Sequence, residues 1–188
     1  MRTFLAFKPP GAIVHRIERL QRRLQGEGIE ARWVKPASIH LTLKFLGETD
    51  PAAGEAIEQA MQAAVAGQVP LELSLGGLGG FPSLHRPRVL WQAVAGEVER
   101  LRSVQQALDA RLALCGFNPE KRPFRAHLTV GRIRNPKRWH AADTVLARQM
   151  QALPSLTFTV DALIWYESRL GPGGARYTAL AQAPLTAA

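Results

Sequence analysis

The chain has 188 residues, of which 46 % are hydrophobic, and its formal net charge at pH 7 is +9. This size suits one domain, or two small lobes that pack as one unit. No run of about 18 apolar residues occurs, which excludes a transmembrane helix, and the single cysteine, Cys115, excludes an internal disulfide and fits a reducing cytoplasm. The positive charge favours a polyanionic partner such as RNA or DNA, although it also serves solubility.

Hydrophobic periodicity predicts alternating strands and helices along the chain. The first half is predicted to contain a strand over 3–8, a helix that ends at Gly26, strands over 31–35 and 39–46, and a helix over 52–66. The second half is predicted to contain strands over 71–78 and 88–94, a helix over 97–115, a strand over 124–132, a short helix over 141–151, and final strands over 156–168 and 176–183.

This order of elements is typical of an α+β fold, in which helices cover one face of mostly antiparallel sheets. No stretch has the composition of an interdomain linker, so we expect residues 1–188 to form a single domain. The paired glycines at 76–77 and 79–80 predict a bulge or a flexible end in the strand over 71–78.

A four-residue pattern, His-x-Thr-x with apolar residues at both x positions, occurs twice. The copies are His40-Leu41-Thr42-Leu43 and His127-Leu128-Thr129-Val130, and their histidines lie 87 residues apart (127 − 40). Because side chains alternate across a strand, histidine and threonine share one face while the apolar residues occupy the other. One copy is most simply explained as a half-buried strand with incidental polar residues. Two copies favour a shared functional site.

Two histidines and two threonines in one site suit the cleavage of a phosphodiester. Imidazole has an unperturbed pKa of about 6.5, so one neutral histidine can accept a proton while a protonated one donates. Threonine hydroxyls can donate to the non-bridging phosphate oxygens. This chemistry requires no metal and no cofactor, and the motifs lack the ligand spacing of a zinc site. The near symmetry of the two motifs leaves open which histidine is the acid.

The paired motifs and their surroundings resemble the two-histidine (2H) phosphoesterase superfamily, and within it the RNA 2′,3′-cyclic phosphodiesterases, formerly named 2′-5′ RNA ligases. The resemblance covers nearly the whole chain and includes, beyond the motifs, Arg32-Trp33-Val34, Phe81-Pro82, Pro87-Arg88-Val89-Leu90-Trp91, Tyr166-Glu167-Ser168-Arg169-Leu170 and Tyr177. It implies a bilobal fold with two antiparallel sheets related by a pseudo-twofold. The motif strands would face a central cleft, and the helices would lie on the outer faces.

The resemblance also implies an activity, the hydrolysis of a terminal ribose 2′,3′-cyclic phosphate of RNA to a 2′-phosphomonoester. In this family the first histidine, here His40, is the general acid that protonates the departing 3′ oxygen. The second, here His127, is the general base that activates water. RNA ends with a cyclic phosphate are therefore the expected partner, and we expect a monomer that needs no metal, cofactor or membrane.

The resemblance further implies that Thr42, Thr129 and Arg132 bind the phosphate and that Phe45 stacks on the terminal base. Strand parity conflicts with two of these roles, because residues five positions after each histidine belong on the core face of an ideal strand. Phe45 could simply pack in the core, but burial of the Arg132 charge would be costly. We therefore predict a bend or bulge directly after each threonine, which Gly131 facilitates in the second copy.

Two alternatives to hydrolysis stay open at this point. The first is reversible 2′-5′ joining of RNA, which is the reverse chemistry at the same site. The second is an RNA-binding module that keeps the fold without turnover, although the intact histidines and threonines of both motifs argue against it.

Overall fold

The structure, a computed structural model, describes residues 1–140, 156–172 and 174–186. The described residues form three helices, α1 (Gly11–Gly26), α2 (Gly54–Val65) and α3 (Val98–Leu114). They also form nine strands, β1 (Arg2–Phe7), β2 (Ala31–Trp33), β3 (Leu41–Glu48), β4 (Leu71–Phe81), β5 (Val89–Gly96), β6 (His127–Ile133), β7 (Thr157–Val160), β8 (Ala162–Gly171) and β9 (Gly174–Pro184). The helix predicted over 141–151 lies outside the described residues.

The strands form two antiparallel sheets. The first sheet has the order β3-β1-β8-β9, and the second has the order β2-β6-β5-β4-β7. The order β3-β1-β8-β9 corresponds to β6-β5-β4-β7, so the two sheets are related by a pseudo-twofold in which the motif strands β3 and β6 are equivalent. The predicted α+β, bilobal architecture is confirmed.

The helices α1 and α3 cross from one lobe to the other. Helix α1 follows β1 of the first sheet but contacts β6 of the second, whereas α3 follows β5 of the second sheet and contacts both β3 of the first and β4 of the second. Each buries a stripe at helical spacing, which consists of Ile13, Ile17, Leu20 and Leu24 in α1 and of Leu101, Val104, Leu108 and Leu112 in α3. The crossing connects both lobes through one hydrophobic core.

The strand predicted over 156–168 is in fact two strands in different sheets. Strand β7 pairs with β4 in the second sheet, and β8 pairs with β1 in the first. Between them lies Asp161, whose carbonyl accepts a hydrogen bond from the Leu185 amide at 2.7 Å. The buried positions also change phase there, from Phe158 and Val160 to Leu163, and this phase change is the signal that a single-strand interpretation overlooks.

Two further differences concern the ends and regularity of strands. Both motif strands begin later than predicted, β3 at Leu41 and β6 at His127, so His40 directly precedes its strand and His127 is the first residue of its strand. The glycine-rich strand β4 extends to Phe81, and its pairing with β5 gains one extra residue between Leu75 and Leu78. The predicted bulge at the paired glycines is thereby confirmed.

No helix in the described ranges is long and apolar enough to cross a membrane.

Candidate active site

The motif strands have the two-faced character that the sequence predicts. In β3 the apolar residues Leu41 and Leu43 are buried, whereas Thr42 is only partly buried. In β6 the residues Leu128 and Val130 are likewise fully buried, and they alternate with the partly buried His127 and Thr129. One face of each strand therefore belongs to the core and the other presents the motif side chains.

A bulge in β3 follows Thr42 directly, as predicted. Thr42 and Lys44 pair with adjacent residues of β1, so Leu43 is an extra residue in the ladder. Leu43 and Lys44 are both buried, and the next side chain, Phe45, is 66 % exposed. Its ring centroid lies 6.0 Å from that of Phe4. The bulge thus moves Phe45 from the core face to the motif face, and the alternative that it packs in the core is wrong.

The equivalent bulge in β6 follows Thr129. Thr129 and Gly131 pair with adjacent residues of β5, so Val130 is the extra residue. Val130 and Gly131 are buried, and Arg132 is exposed. A Cβ added at Gly131 would lie 2.9 Å from the Trp33 ring, which explains why this buried position has no side chain. The predicted bulge is confirmed, and it releases the Arg132 charge from the core.

The two motif imidazoles are oriented by the same local device. His40 Nδ1 lies 2.8 Å from the Ser38 carbonyl oxygen, and His127 Nδ1 lies 2.8 Å from the Arg125 carbonyl oxygen. A carbonyl oxygen can only accept, so Nδ1 carries the hydrogen in both rings. Each neutral imidazole therefore has an unprotonated Nε2, which can exchange a proton with a bound molecule.

Aromatic side chains of the first sheet surround His40. The Phe4 ring lies 4.6 Å from the imidazole, centroid to centroid, and the Tyr177 ring meets it edge-on at 5.1 Å. Phe4 also stacks on Tyr166 at 5.2 Å. This packing fixes the imidazole plane and removes water from one side of the ring.

A second aromatic group, contributed by the second sheet, surrounds His127. Phe81 and Trp91 approach the imidazole edge-on, with centroids at 5.2 and 6.0 Å. The guanidinium of Arg125 lies 5.8 Å from the Phe81 centroid and 5.7 Å from the Trp91 centroid, which is within the range of cation–π attraction. Arg125, whose carbonyl orients His127, is therefore anchored by its own side chain.

Burial lowers the pKa of both motif histidines below the ordinary value. For His40 the hydrogen bond to Ser38 opposes this effect, and a charge on His127 adds to it. For His127 the hydrogen bond to Arg125 opposes the effect of burial, and the positive charge of the Arg125 side chain adds to it. Strands β3 and β6 contact each other, and the effect of the His127 charge on His40 agrees with a shared site for two imidazoles that lie 87 residues apart in sequence (127 − 40).

The charge of Arg132, in the second sheet, acts on a tyrosine of the first sheet. Burial raises the pKa of the Tyr177 hydroxyl, whereas the positive charges of Arg132 and Arg2 lower it. Tyr177 belongs to the first sheet and Arg132 to the second, so the guanidinium lies near the aromatic residues of the opposite lobe.

The structure thus brings the predicted residues His40, His127, Thr42, Thr129, Arg132 and Phe45 to the same face of the two motif strands. Among the described residues, no cluster of three or more His, Cys, Asp or Glu side chains is placed to hold a metal ion. Sequence reasoning overlooked the aromatic residues and the orienting carbonyls. Tyr166 and Tyr177 belong to the segments that carry the resemblance, but nothing in their spacing assigns them to the site.

Comparison with known proteins is consistent with this geometry. The family model of the 2′-5′ RNA ligase superfamily matches residues 9–171. The RNA 2′,3′-cyclic phosphodiesterase of Methanothermobacter thermautotrophicus is 30 % identical over 178 residues, which cover 95 % of each chain. The structure of E. coli LigT complexed with 3′-AMP has a TM-score of 0.76 at 25 % identity, with 98 % of each chain covered. TT0787 of Thermus thermophilus has a TM-score of 0.79 at 24 % identity, with 100 % of this chain and 99 % of that chain covered. The chain therefore belongs to the 2′-5′ RNA ligase superfamily.

Proposed function

We propose that this protein is an RNA 2′,3′-cyclic phosphodiesterase that hydrolyses a terminal 2′,3′-cyclic phosphate to a 2′-phosphomonoester without a metal ion. The observation that carries the proposal is the matched pair of imidazoles, each held through Nδ1 by the carbonyl two residues earlier. This arrangement leaves both Nε2 atoms for proton transfer. The name of the archaeal relative, an RNA 2′,3′-cyclic phosphodiesterase, supports the substrate class.

In the proposed reaction His127 is the general base and His40 is the general acid. Nε2 of His127 takes a proton from a water molecule, whose oxygen attacks phosphorus. The bond between phosphorus and the 3′ oxygen breaks, and Nε2 of His40 gives its proton to that oxygen. The products are a 2′-phosphomonoester and a free 3′ hydroxyl. The order of the two roles follows the resemblance to the family, because the two motifs are locally equivalent.

The surroundings of His127 agree with the protonation state that this reaction needs, whereas those of the free enzyme's His40 oppose it until substrate binds. Burial and the Arg125 charge lower the pKa of His127, which keeps this ring neutral near neutral pH, as a base requires. His40 must carry a proton when substrate is bound. The phosphate anion supplies the opposite charge that favours protonation of a nearby imidazole.

The remaining residues of the site are assigned to substrate binding. The hydroxyls of Thr42 and Thr129 would donate to the non-bridging phosphate oxygens, and the Arg132 guanidinium would add charge-assisted hydrogen bonds. The exposed ring of Phe45 would stack on the terminal base, since every base offers an aromatic face.

The test is incubation of an RNA oligonucleotide ending in a 2′,3′-cyclic phosphate, with EDTA present and the products identified by ³¹P NMR. We expect a 2′-phosphate end, and we expect His40→Ala and His127→Ala each to lower kcat by about 10²–10⁴-fold. His15→Ala is the matched control, because His15 is exposed on α1.

Other outcomes would assign a different function. A requirement for added metal, or a 3′-phosphate product, would contradict the proposed mechanism. RNA binding without turnover would support a binding module. Joining of 2′,3′-cyclic phosphate and 5′-hydroxyl ends into a 2′-5′ linkage would show that the reverse reaction occurs at the same site.

The proposal extends to residues 1–188 as one bilobal enzyme domain that acts as a monomer in the cytoplasm. Support for one domain comes from the hydrophobic core that both sheets share. Support for a reducing compartment comes from the single cysteine, Cys115, which is free and exposed.

A further inference from the structure

A buried glutamine holds the bulge of the second motif strand. Gln21 of α1 is only 8 % exposed. Its Nε2 donates to the carbonyl of Val130, the extra residue of the β6 bulge, at 2.9 Å, and to the carbonyl of Val34 at 2.8 Å. The Val130 carbonyl also accepts from the Val34 amide at 3.1 Å. These contacts, here called the Gln21 clamp, join α1, the end of β2 and the bulge.

An ion pair between a buried lysine and a partly buried aspartate holds the bulge of the first motif strand. Lys44, the second buried residue of the β3 bulge, is 5 % exposed. Its ammonium donates to the Asp109 carboxylate of α3 and, at 2.6 Å, to the Asn118 carbonyl. The carboxylate also accepts from the Glu120 amide at 3.1 Å. These contacts, here called the Lys44 clamp, join the bulge to α3 and to the segment that leads toward the second motif.

The two clamps occupy equivalent places in the two lobes but differ in chemistry. Each connects a motif bulge, on its core face, to the helix that crosses from the other half of the chain. Polar side chains are costly in such places unless they are fully hydrogen-bonded, and apolar replacements of buried ion pairs are often neutral or stabilising. The stability of the fold alone therefore does not explain why Gln21 and Lys44 are both polar.

Both clamps hold a bulge that is followed by a residue with a proposed role in substrate binding. A one-residue change in strand register moves every later side chain to the opposite face. Loss of the β6 bulge would turn Arg132 toward the core, and loss of the β3 bulge would do the same to Phe45. The clamped groups, the Val130 carbonyl and the Lys44 ammonium, both belong to the bulges themselves.

We infer that Gln21 and the Lys44–Asp109 pair are positioning residues for the reaction, because they hold the bulges that direct Arg132 and Phe45 into the cleft. The inference rests on the proposed function, in which Arg132 binds phosphate and Phe45 stacks on the base. It assigns the two clamps to substrate binding, although none of their side chains touches the substrate.

A double-mutant cycle tests the Gln21 clamp. Gln21→Met removes the donor and keeps an unbranched side chain of similar size, and it is made in the parent and in the Arg132→Ala background. We expect Gln21→Met to lower kcat/KM about tenfold in the parent and less than about twofold in the Arg132→Ala background, because coupled residues are not additive. Equal losses in both backgrounds would overturn the inference. Gln25→Met, at an exposed position of the same helix, is the control.

A second cycle tests the Lys44 clamp. Lys44→Met leaves the Asp109 carboxylate with its hydrogen bonds from the Glu120 amide, and because this side chain is 18 % exposed, water still reaches its charge. We expect Lys44→Met to raise KM for a nucleoside 2′,3′-cyclic phosphate about tenfold in the parent and to have no further effect in the Phe45→Ala background. A fall in kcat with unchanged KM would contradict a positioning role through Phe45. Lys8→Met, at an exposed lysine, is the control.

The measurements separate failure of this inference from failure of the proposed function. Binding of inorganic phosphate, followed by calorimetry in the four proteins of the Gln21 cycle, needs no turnover and should show the same coupling. A parent inactive on cyclic phosphates would contradict the proposed function, while uncoupled phosphate binding would contradict the clamp. If Gln21→Met does not fold, Gln21→Asn serves instead, because its shorter amide cannot reach both carbonyls.

Discussion

His40 and His127 are close enough for a positive charge on His127 to lower the pKa of His40, in addition to the larger effect of burial. A positive charge on one imidazole therefore works against protonation of the other. The doubly protonated state is disfavoured, and the singly protonated state is the one that acid–base catalysis requires.

The pH dependence of kcat/KM should consequently be bell-shaped, with its maximum below pH about 6.5, since the pKa values of both free-enzyme histidines lie below their usual value. Steady-state rates on a nucleoside 2′,3′-cyclic phosphate between about pH 4.5 and 9 provide the measurement. A flat profile, or a maximum above pH about 7.5, would contradict the assignment of both roles to these two rings.

Folding stability should decrease on acidification because of the same two rings. Their folded-state pKa values lie below the unfolded value of about 6.5, so the unfolded chain binds more protons. Their contribution to stability is complete above that pH and is lost as pH falls through about 6.5 toward the folded pKa values. The difference in Tm between about pH 7.5 and 5 should shrink in the double variant His40→Gln/His127→Gln. His15→Gln, at an exposed site, should leave it unchanged.

Arg125→Met should raise the pKa of His127, because it removes a positive charge that lowers this pKa, while burial, the larger cause, stays in place. An NMR titration of the His127 ring proton would measure the change, and the acid side of the activity profile should move to higher pH with it. Arg134→Met, at another exposed arginine, is the control. An unchanged pKa would show that the Arg125 side chain only anchors the strand.

Phe45→Ala should weaken substrate binding without loss of stability. Stacking on a base is worth about 1–3 kcal/mol, so KM for a nucleoside 2′,3′-cyclic phosphate should rise about 5- to 150-fold. The free energy of unfolding should stay within about 0.5 kcal/mol, because the side chain is 66 % exposed. Ribose 2′,3′-cyclic phosphate, which lacks a base, should bind equally well to both proteins. Leu170→Ala, at a side chain that is 77 % exposed, is the control.

Gly79→Ala should disturb the packing around His127. A Cβ at this position would overlap the Trp91 ring, which contacts the His127 imidazole edge-on. We expect a loss of about 1–3 kcal/mol in the free energy of unfolding and a fall in kcat of about 10- to 100-fold from misplacement of the base. Gly26→Ala, where the added Cβ has no neighbour within 4 Å, should show neither effect. Normal activity of Gly79→Ala would mean that the Trp91 packing does not orient His127.

Local patterns in the sequence predicted much of the fold. The α+β class followed from the order of periodic segments, and the bulge in β4 followed from its glycines. The bulges in β3 and β6 followed from the conflict between strand parity and the implied roles of Phe45 and Arg132. The division between β7 and β8 was overlooked, because strand periodicity shows which residues are apolar but not which sheet a strand joins. The change of phase at Asp161 can be interpreted as a break between two strands only when the two sheets are known.

The repeated His-x-Thr-x motif, by itself, predicted the two histidines and two threonines of the candidate site, because alternation along a strand is a local property that one chain segment specifies. The tertiary structure decided the environment of those residues. The aromatic rings around each imidazole come from strands distant in sequence, and Gln21 reaches a carbonyl 109 residues away. The aromatic contacts depend on which strands pair within each sheet, and the Gln21 contact depends on how a helix of one half packs on the sheet of the other. No local pattern encodes that packing, which sets the pKa of each histidine and the direction of Arg132 and Phe45.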